Sequence, residues 1–404
     1  MKSLFARMLL ILVCGALFSG CVGKAPLPPW ISKISIVKAP VGPEEIFRLP
    51  EGDPITFAQL SNDLDTTPVI FIGESHDQTE HHQNQVRIIQ GLIAKGKDVV
   101  LGMEMFERSQ QPTLDRWSQG LLSEEEFLKE VEWDTTWGMD YELYKGILDV
   151  VRAHHLKVLG LNAPRDLVRK VAENGLQGLS PEDRKTLPEI DLTDGQHRAY
   201  IAAIYRGHEK GSAKDFENFY EAQCLWDEGM AESLSEFLIS SQAEGKTVLV
   251  FAGSGHIVFG FGIPNRFHRR TPTPYQTILL KAWREKLDGD FTFTGASSLL
   301  ANFLWITQPN PPEKKRPRIG VILKQQKEGQ KGLRVEKVIP ESPAEKAGLY
   351  PGDQLVSVEG KEITKIKDIH HALEQKGWGN DITFTIVREG TEKKITVQLP
   401  PLED

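Results

Sequence analysis

The chain has 404 residues and carries 48 Lys and Arg against 56 Asp and Glu, a formal net charge of −8. That length accommodates two or three domains, and mild acidity without a long basic run argues against nucleic acid as a partner. Of the three cysteines, Cys14 and Cys21 fall in an N-terminal targeting segment and Cys224 reads as a buried helix residue, so no disulfide framework is expected.

Residues 1–20 read as a signal peptide. Lys2 and Arg7 flank an apolar core around Met8–Val13 that is short for a membrane span. Leu17-Phe18-Ser19-Gly20-Cys21 resembles a bacterial lipobox, with Phe18 where leucine is usual. It makes Cys21 a lipidated mature N-terminus facing the periplasm or the cell exterior; the alternative is ordinary cleavage or an uncleaved anchor. Residues 21–44, rich in Pro, Lys and Gly, read as a tether.

Residues 45–300 form the first folded domain. Four short apolar runs, Pro68–Ile72, Val99–Met103, Lys157–Leu161 and Thr247–Ala252, alternate with helical patterns. One helical stripe holds Tyr141, Tyr144, Ile147, Leu148 and Val151; a longer one holds Phe216, Phe219, Gln223, Trp226, Met230, Leu234 and Phe237. This pattern predicts an α/β fold, a mostly parallel sheet with helices on both faces. Either stripe could carry a tetrapyrrole, although core packing is the commoner use.

Chemistry concentrates where the runs end. Gly73-Glu74-Ser75-His76 follows the first, Glu104 follows the second, Asn162 and Arg165 follow the third, and Gly253-Ser254-Gly255-His256 follows the fourth. In open α/β sheets ligands bind at the carboxyl ends of strands, so Glu74, His76, Glu104 and His256 are expected in one pocket. Two imidazoles and two carboxylates there can hold a divalent metal through His76, Glu104 and His256, or transfer protons. A structural ion-pair network, or Glu74 as a helix cap beside a solvated His76, are the plainer alternatives. The pairs His81-His82 and His154-His155 read as solvated helix surface, because adjacent helical residues point about 100° apart.

Taken together, Gly-Glu-Ser-His at 73–76, Met103-Glu104-Met105-Phe106, Trp226-Asp227-Glu228-Gly229-Met230-Ala231 and Gly253-Ser254-Gly255-His256 resemble the motifs of the ChaN-like haem-binding uptake family. That family is grouped with the Tiki proteases, TraB proteins and erythromycin esterases. The resemblance implies an iron-regulated lipoprotein that binds haem. In the protease and esterase relatives, the residues matching Glu74, His76, Glu104 and His256 make the catalytic or metal-binding centre. Tyr200, Tyr205, His197 and His208 stand on predicted helices and are of haem-ligating type.

Residues 301–317, with Gln308-Pro309-Asn310-Pro311-Pro312, read as a Pro-rich linker. Residues 318–404 resemble a PDZ domain of the bacterial periplasmic-protease type, through Arg318-Ile319-Gly320-Val321-Ile322, Ser342-Pro343-Ala344-Glu345-Lys346-Ala347-Gly348-Leu349 and Pro351-Gly352-Asp353. Such a domain adds a protein C-terminus or extended peptide to a sheet edge. Backbone amides near Ile319, Gly320 and Val321 are expected to hold the carboxylate, with Ile369 and Leu373 lining the side-chain pocket; an internal spacer is the alternative use. The expected function is a membrane-anchored, haem-binding envelope lipoprotein in iron acquisition that recruits a protein partner. A metal-dependent hydrolase or peptidase of the Tiki and erythromycin-esterase type stands beside it.

Overall fold

The computed structural model describes residues 42–206, 213–283, 300–310, 317–325 and 331–401. Cys21, the tether up to residue 41, His208 and residues 311–316 of the linker lie outside them. The chain divides into two compact units after Asn310.

In the first unit eight strands make one sheet. They are β1 (Ile46–Arg48), β2 (Asp53–Ile55), β3 (Val69–Glu74), β4 (Asp98–Glu107), β5 (Lys157–Asn162), β6 (Lys246–Gly253), β7 (Tyr275–Ala282) and β8 (Phe303–Thr307). Their order is β2-β1-β8-β7-β3-β6-β4-β5. Strands β3 to β8 run parallel, and β1 joins β8 and β2 antiparallel at one edge. The helices are α1 (Phe57–Asp63), α2 (Thr79–Ala94), α3 (Gln111–Ser118), α4 (Glu124–Glu130), α5 (Trp133–Thr136), α6 (Tyr141–His154), α7 (Arg165–Asn174), α8 (Pro181–Arg184), α9 (Gly195–Arg206), α10 (Ala213–Ile239) and α11 (Ile263–Arg270).

Alternation along β3 sorts the two cores. Ile70 and Ile72 pack with α2 and α6 residues such as Ile89, Tyr144 and Leu148, whereas Val69 and Phe71 pack with α10 and α11 residues such as Leu234 and Phe267. A parallel sheet buried on both faces needs such unbroken apolar strands, and β3 is buried at every position. The linker expectation is corrected at its start. Phe303–Thr307 is fully buried as β8, and Asn310 is bound to the start of α2, its Oδ1 accepting from Thr79 N–H at 2.9 Å.

The second unit is a sheet of β9 (Val321–Gln325), β10 (Leu333–Val338), β11 (Gln354–Val358), β12 (Lys361–Glu362), β13 (Asp381–Arg388) and β14 (Thr391–Gln398), with helices α12 (Pro343–Lys346) and α13 (Ile366–Lys376). The order β14-β13-β11-β10-β9 leaves β9 at the edge. Arg388 holds Asp353 through two bonds of 2.6 and 2.7 Å.

Candidate functional site

Strand order explains why residues distant in sequence meet. β6 lies between β3 and β4, and the registers align Glu74 with Gly253 and Met103 with Phe251. Strands β3 and β6 therefore end side by side at Glu74 and Gly253, and Glu104 follows the last β4 residue paired with β6, Met103. Glu104 sits in a bulge, where β4 advances from Met103 to Glu107 while β5 advances only from Gly160 to Asn162. Such irregularities re-aim side chains at sheet ends. Gly253 lets His76 approach closely: a Cβ there would lie 3.0 Å from His76 Nε2 and press the ring aside.

All four expected residues converge and are buried. His76 Nδ1 bonds Glu74 Oε1 at 2.8 Å, and His256 Nδ1 bonds Asp227 Oδ1 at 2.6 Å. An ionised carboxylate only accepts, so each Nδ1 carries the proton. The opposite nitrogens both face one atom: Glu104 Oε1 lies 3.9 Å from His76 Nε2 and 3.6 Å from His256 Nε2. Glu104 Oε2 is fixed by the Gly253 N–H at 2.7 Å. Among the described residues the buried His256 Nε2 has no hydrogen-bond partner.

Around this core lie residues that strand-end reasoning missed. Glu74 accepts from Tyr144 OH at 3.0 Å and from the Gln85 amide at 2.6 Å, with His82 Nδ1 at 3.5 Å. Burial opposes ionisation of Glu74, but His82, His76 and Gln85 outweigh it and bring its pKa down to about 2. Burial likewise opposes charge on His256, yet Glu104 and Asp227 raise it above the ordinary histidine value. Asp227 is pulled below its ordinary value against its own burial by His256, Arg266 and His197. The α10 helix supplies Asp227 together with Gln223, whose amide lies 3.0 Å from His256 Nδ1. The available signal was helical spacing: Gln223 and Asp227 are four residues apart, on one face of a stripe assigned to packing.

The pair His81-His82 is corrected. Both are buried; His81 Nδ1 accepts from the Ser75 N–H at 2.8 Å, and burial pushes its pKa down to about 3. These residues clamp the turn that carries His76. His154 and His155 are exposed as expected. Asn162 turns to the Glu104 carbonyl at 2.9 Å, and Arg165 bonds the carbonyls of Thr135 and Thr136. The metal expectation for His76, Glu104 and His256 is not supported: among the described residues no group of three or more His, Cys, Asp or Glu side chains has the arrangement of a metal site. The geometry present is one carboxylate oxygen facing two oriented imidazoles at 3.6 and 3.9 Å, beyond direct hydrogen-bond distance.

The haem-ligand candidates separate by burial. His197 is fully enclosed, with Arg266 Nη2 at 3.2 Å and Asp227 Oδ2 at 3.5 Å. Tyr200 is buried against Phe259 and Phe261. Tyr205 is half-buried, its ring 5.5 Å from Phe216 and 5.2 Å from Phe219.

The profile of the haem-binding uptake, Tiki superfamily, ChaN domain matches residues 60–267, and that of the PDZ domain matches 317–399. The chain belongs to the ChaN-like haem-binding uptake family. This ChaN-like chain is similar in fold to the solved structure of cofacial heme binding to ChaN of Campylobacter jejuni, at 19% identity and a TM-score of 0.50, covering 64% of this chain and 95% of that one. Among curated proteins it is 36% identical over 72 residues to a DegP-like periplasmic serine endoprotease of Hahella chejuensis, covering 18% of this chain and 15% of that one. To a DegP-like counterpart from Chlamydia muridarum it is 28% identical over 262 residues, covering 61% and 47%. The chain thus spans less than half the length of these relatives.

In the PDZ unit the expected peptide-binding residues come together. Ile319, Ile369 and Leu373 share one buried cluster, with Val321 packed against it. Gly320 has φ of +83°, and a Cβ there would lie 2.3 Å from Ser342 Cβ, so the loop requires glycine.

Proposed function

We propose that this chain is an envelope lipoprotein that binds haem in iron acquisition and holds a partner protein by its C-terminus. The observation that carries the haem reading is family membership over residues 60–267. The residues present fit a tetrapyrrole. Tyr205, Phe216 and Phe219 form a half-buried aromatic shelf, which would cover a macrocycle face, and the Tyr205 phenol is a ligand of a type haem iron accepts. The bound group would supply the iron; the chain supplies the apolar face and the oxygen. Cys21 would anchor the protein to a bacterial membrane, since diacyl attachment with an acylated amine is stable where one chain is not. Among the described residues no helix is long and apolar enough to cross a membrane. The open edge of β9 supports the partner reading, because a chain end added there gains main-chain hydrogen bonds.

The deciding experiment is a haemin titration read by the Soret band. The expected result is saturable binding that Tyr205→Ala weakens strongly and Glu104→Gln leaves unchanged. No Soret shift in the unaltered protein would overturn the haem reading.

One observation favours a second activity in the hydrolase class: Glu104 Oε1 faces both His76 Nε2 and His256 Nε2. In that reading Glu104 acts as general base and the His256 imidazolium as general acid, each held by a carboxylate-bound Nδ1 or a backbone N–H. Cleavage of a fluorogenic peptide library that disappears with Glu104→Gln would support it; unchanged turnover would refute it.

A further inference from the structure

The outer face of the PDZ edge strand carries charge that the described residues leave unanswered. On β9, Leu323 is buried in the core and Val321 packs against it, while Ile322 and Lys324 are exposed. Lys324 stands directly opposite Arg334 in the antiparallel register with β10, and both are exposed. Like charges in that position destabilise a sheet. Among the described residues the ion pairs of this unit join Lys376 to Glu359 and Arg388 to Asp353, and neither Lys324 nor Arg334 takes part in one. The pair instead walls a cavity of about 300 Å³, lined also by Val335, Glu336, Pro351 and Gly352. Among the described residues of its lining Glu336 is the one acid beside two cations.

We propose that this wall selects partner C-termini bearing an acidic side chain at the fourth residue from the end. The inference rests on the strand-addition reading above and deepens it by naming the ligand's chemistry. With the terminal carboxylate at the amides near Ile319, Gly320 and Val321, the last residue lies opposite Val321. The next three lie opposite Ile322, Leu323 and Lys324 in turn. Cross-strand partners share a face. The last and third-from-last side chains therefore turn toward the apolar groove of Ile319, Ile369 and Leu373, and the fourth turns to the solvent face beside Lys324. A carboxylate there relieves the Lys324–Arg334 repulsion; an ammonium adds a third positive charge to the same row.

The test uses the full chain and fluorescein-labelled hexapeptides read by anisotropy. The parent peptide is Gly-Gly-Asp-Val-Ala-Val, compared with forms carrying Ala or Lys in place of Asp and with a C-terminally amidated form. At low salt the Asp peptide is expected to bind about fivefold tighter than the Lys peptide. Added salt should compress that ratio, and Lys324→Gln with Arg334→Gln should erase it. Equal affinity of the Asp and Lys peptides, or a preference that survives both substitutions, overturns the inference while leaving C-terminus capture intact. Binding by none of the peptides, or equal binding of the amidated form, overturns the strand-addition reading and the inference with it.

Discussion

The two units place their chemistry in opposite physical settings. In the first, acids and imidazoles are sealed at the ends of β3, β4 and β6, each side chain held by another buried polar group. In the second, the edge strand β9 and the exposed Lys324 and Arg334 meet solvent. A sealed network is stabilised by mutual pairing in a low dielectric, so losing one member exposes the desolvation cost of the rest. An open edge has little such coupling. Substitutions in the first setting should therefore act on folding, and those in the second on affinity.

The largest expected effect is at Asp227. Its Oδ1 takes the His256 bond and its Oδ2 faces His197, both in full burial. Asp227→Ala should cost about 3–5 kcal/mol, because it leaves imidazoles and Arg266 without their shared counter-charge. Urea denaturation followed by tryptophan fluorescence checks this. A loss below about 1 kcal/mol would remove the contrast between the units.

Acid should separate the units next. His81 is held at about 3 from an ordinary 6.5. Between those values the unfolded chain binds a proton the folded chain refuses, so stability falls as pH drops through that window. The loss is on the order of 4 kcal/mol by pH 3. Glu74, brought from 4.5 to about 2, adds a loss as pH falls below its ordinary range toward its folded value. His256 works the other way: its pKa is raised, so its contribution is complete below the ordinary histidine value and is lost as pH rises through the folded one. Among the described residues of the second unit the buried carboxylate is Asp353, held low by Arg388 against burial. Its loss begins only below the ordinary aspartate range. Denaturation at pH 7 and pH 4 should find the first unit weakened and the second nearly unchanged.

Much of this arrangement is legible in the sequence, for identifiable reasons. The runs of β3, β4, β5 and β6 read clearly because each is an unbroken apolar segment. Those of β3, β4 and β6 lead into the polar residues of the site, whereas β5, at the sheet edge, ends at Asn162, which bonds the Glu104 carbonyl. β7 and β8 did not read so clearly. Tyr275–Ala282 mixes Gln276, Thr277 and Lys281 into its run, and Phe303–Thr307 lies beside prolines that signal a boundary. β1 and β2, three residues each, are too short for a period to show. Glu74, His76, Glu104 and His256 were found because strand ends are positions that topology makes equivalent. Asp227, Gln85 and Tyr144 reach the same centre from helices, where a polar residue on an apolar face is ambiguous until the partner across the gap is known. The burial of His81 and His82 was missed for the same reason: α2 faces α6, a pairing that α2's own spacing does not reveal.

The smallest effects belong to the loop beneath the PDZ edge, where Gly320 and Ser342 touch. Gly320→Ala forces a side chain into the left-handed region and against Ser342, which should cost about 1–3 kcal/mol and weaken peptide binding. Ser342→Ala removes less. Its hydroxyl accepts from the Glu345 N–H at 3.3 Å as the cap of α12, and losing such a cap costs about 1 kcal/mol. The hydroxyl also lies 3.4 Å from the Gly320 carbonyl, long enough that little further energy is at stake. Ser342→Ala should therefore lower the stability of the second unit slightly, leave the Soret response of the first unaltered, and change peptide affinity less than Gly320→Ala does. Calorimetry of both variants beside peptide anisotropy measures each quantity. If Ser342→Ala abolished peptide capture, the edge would be a preorganised, coupled site like the buried centre of the first unit, and the contrast between a sealed network and an open edge would fail at its most sensitive point.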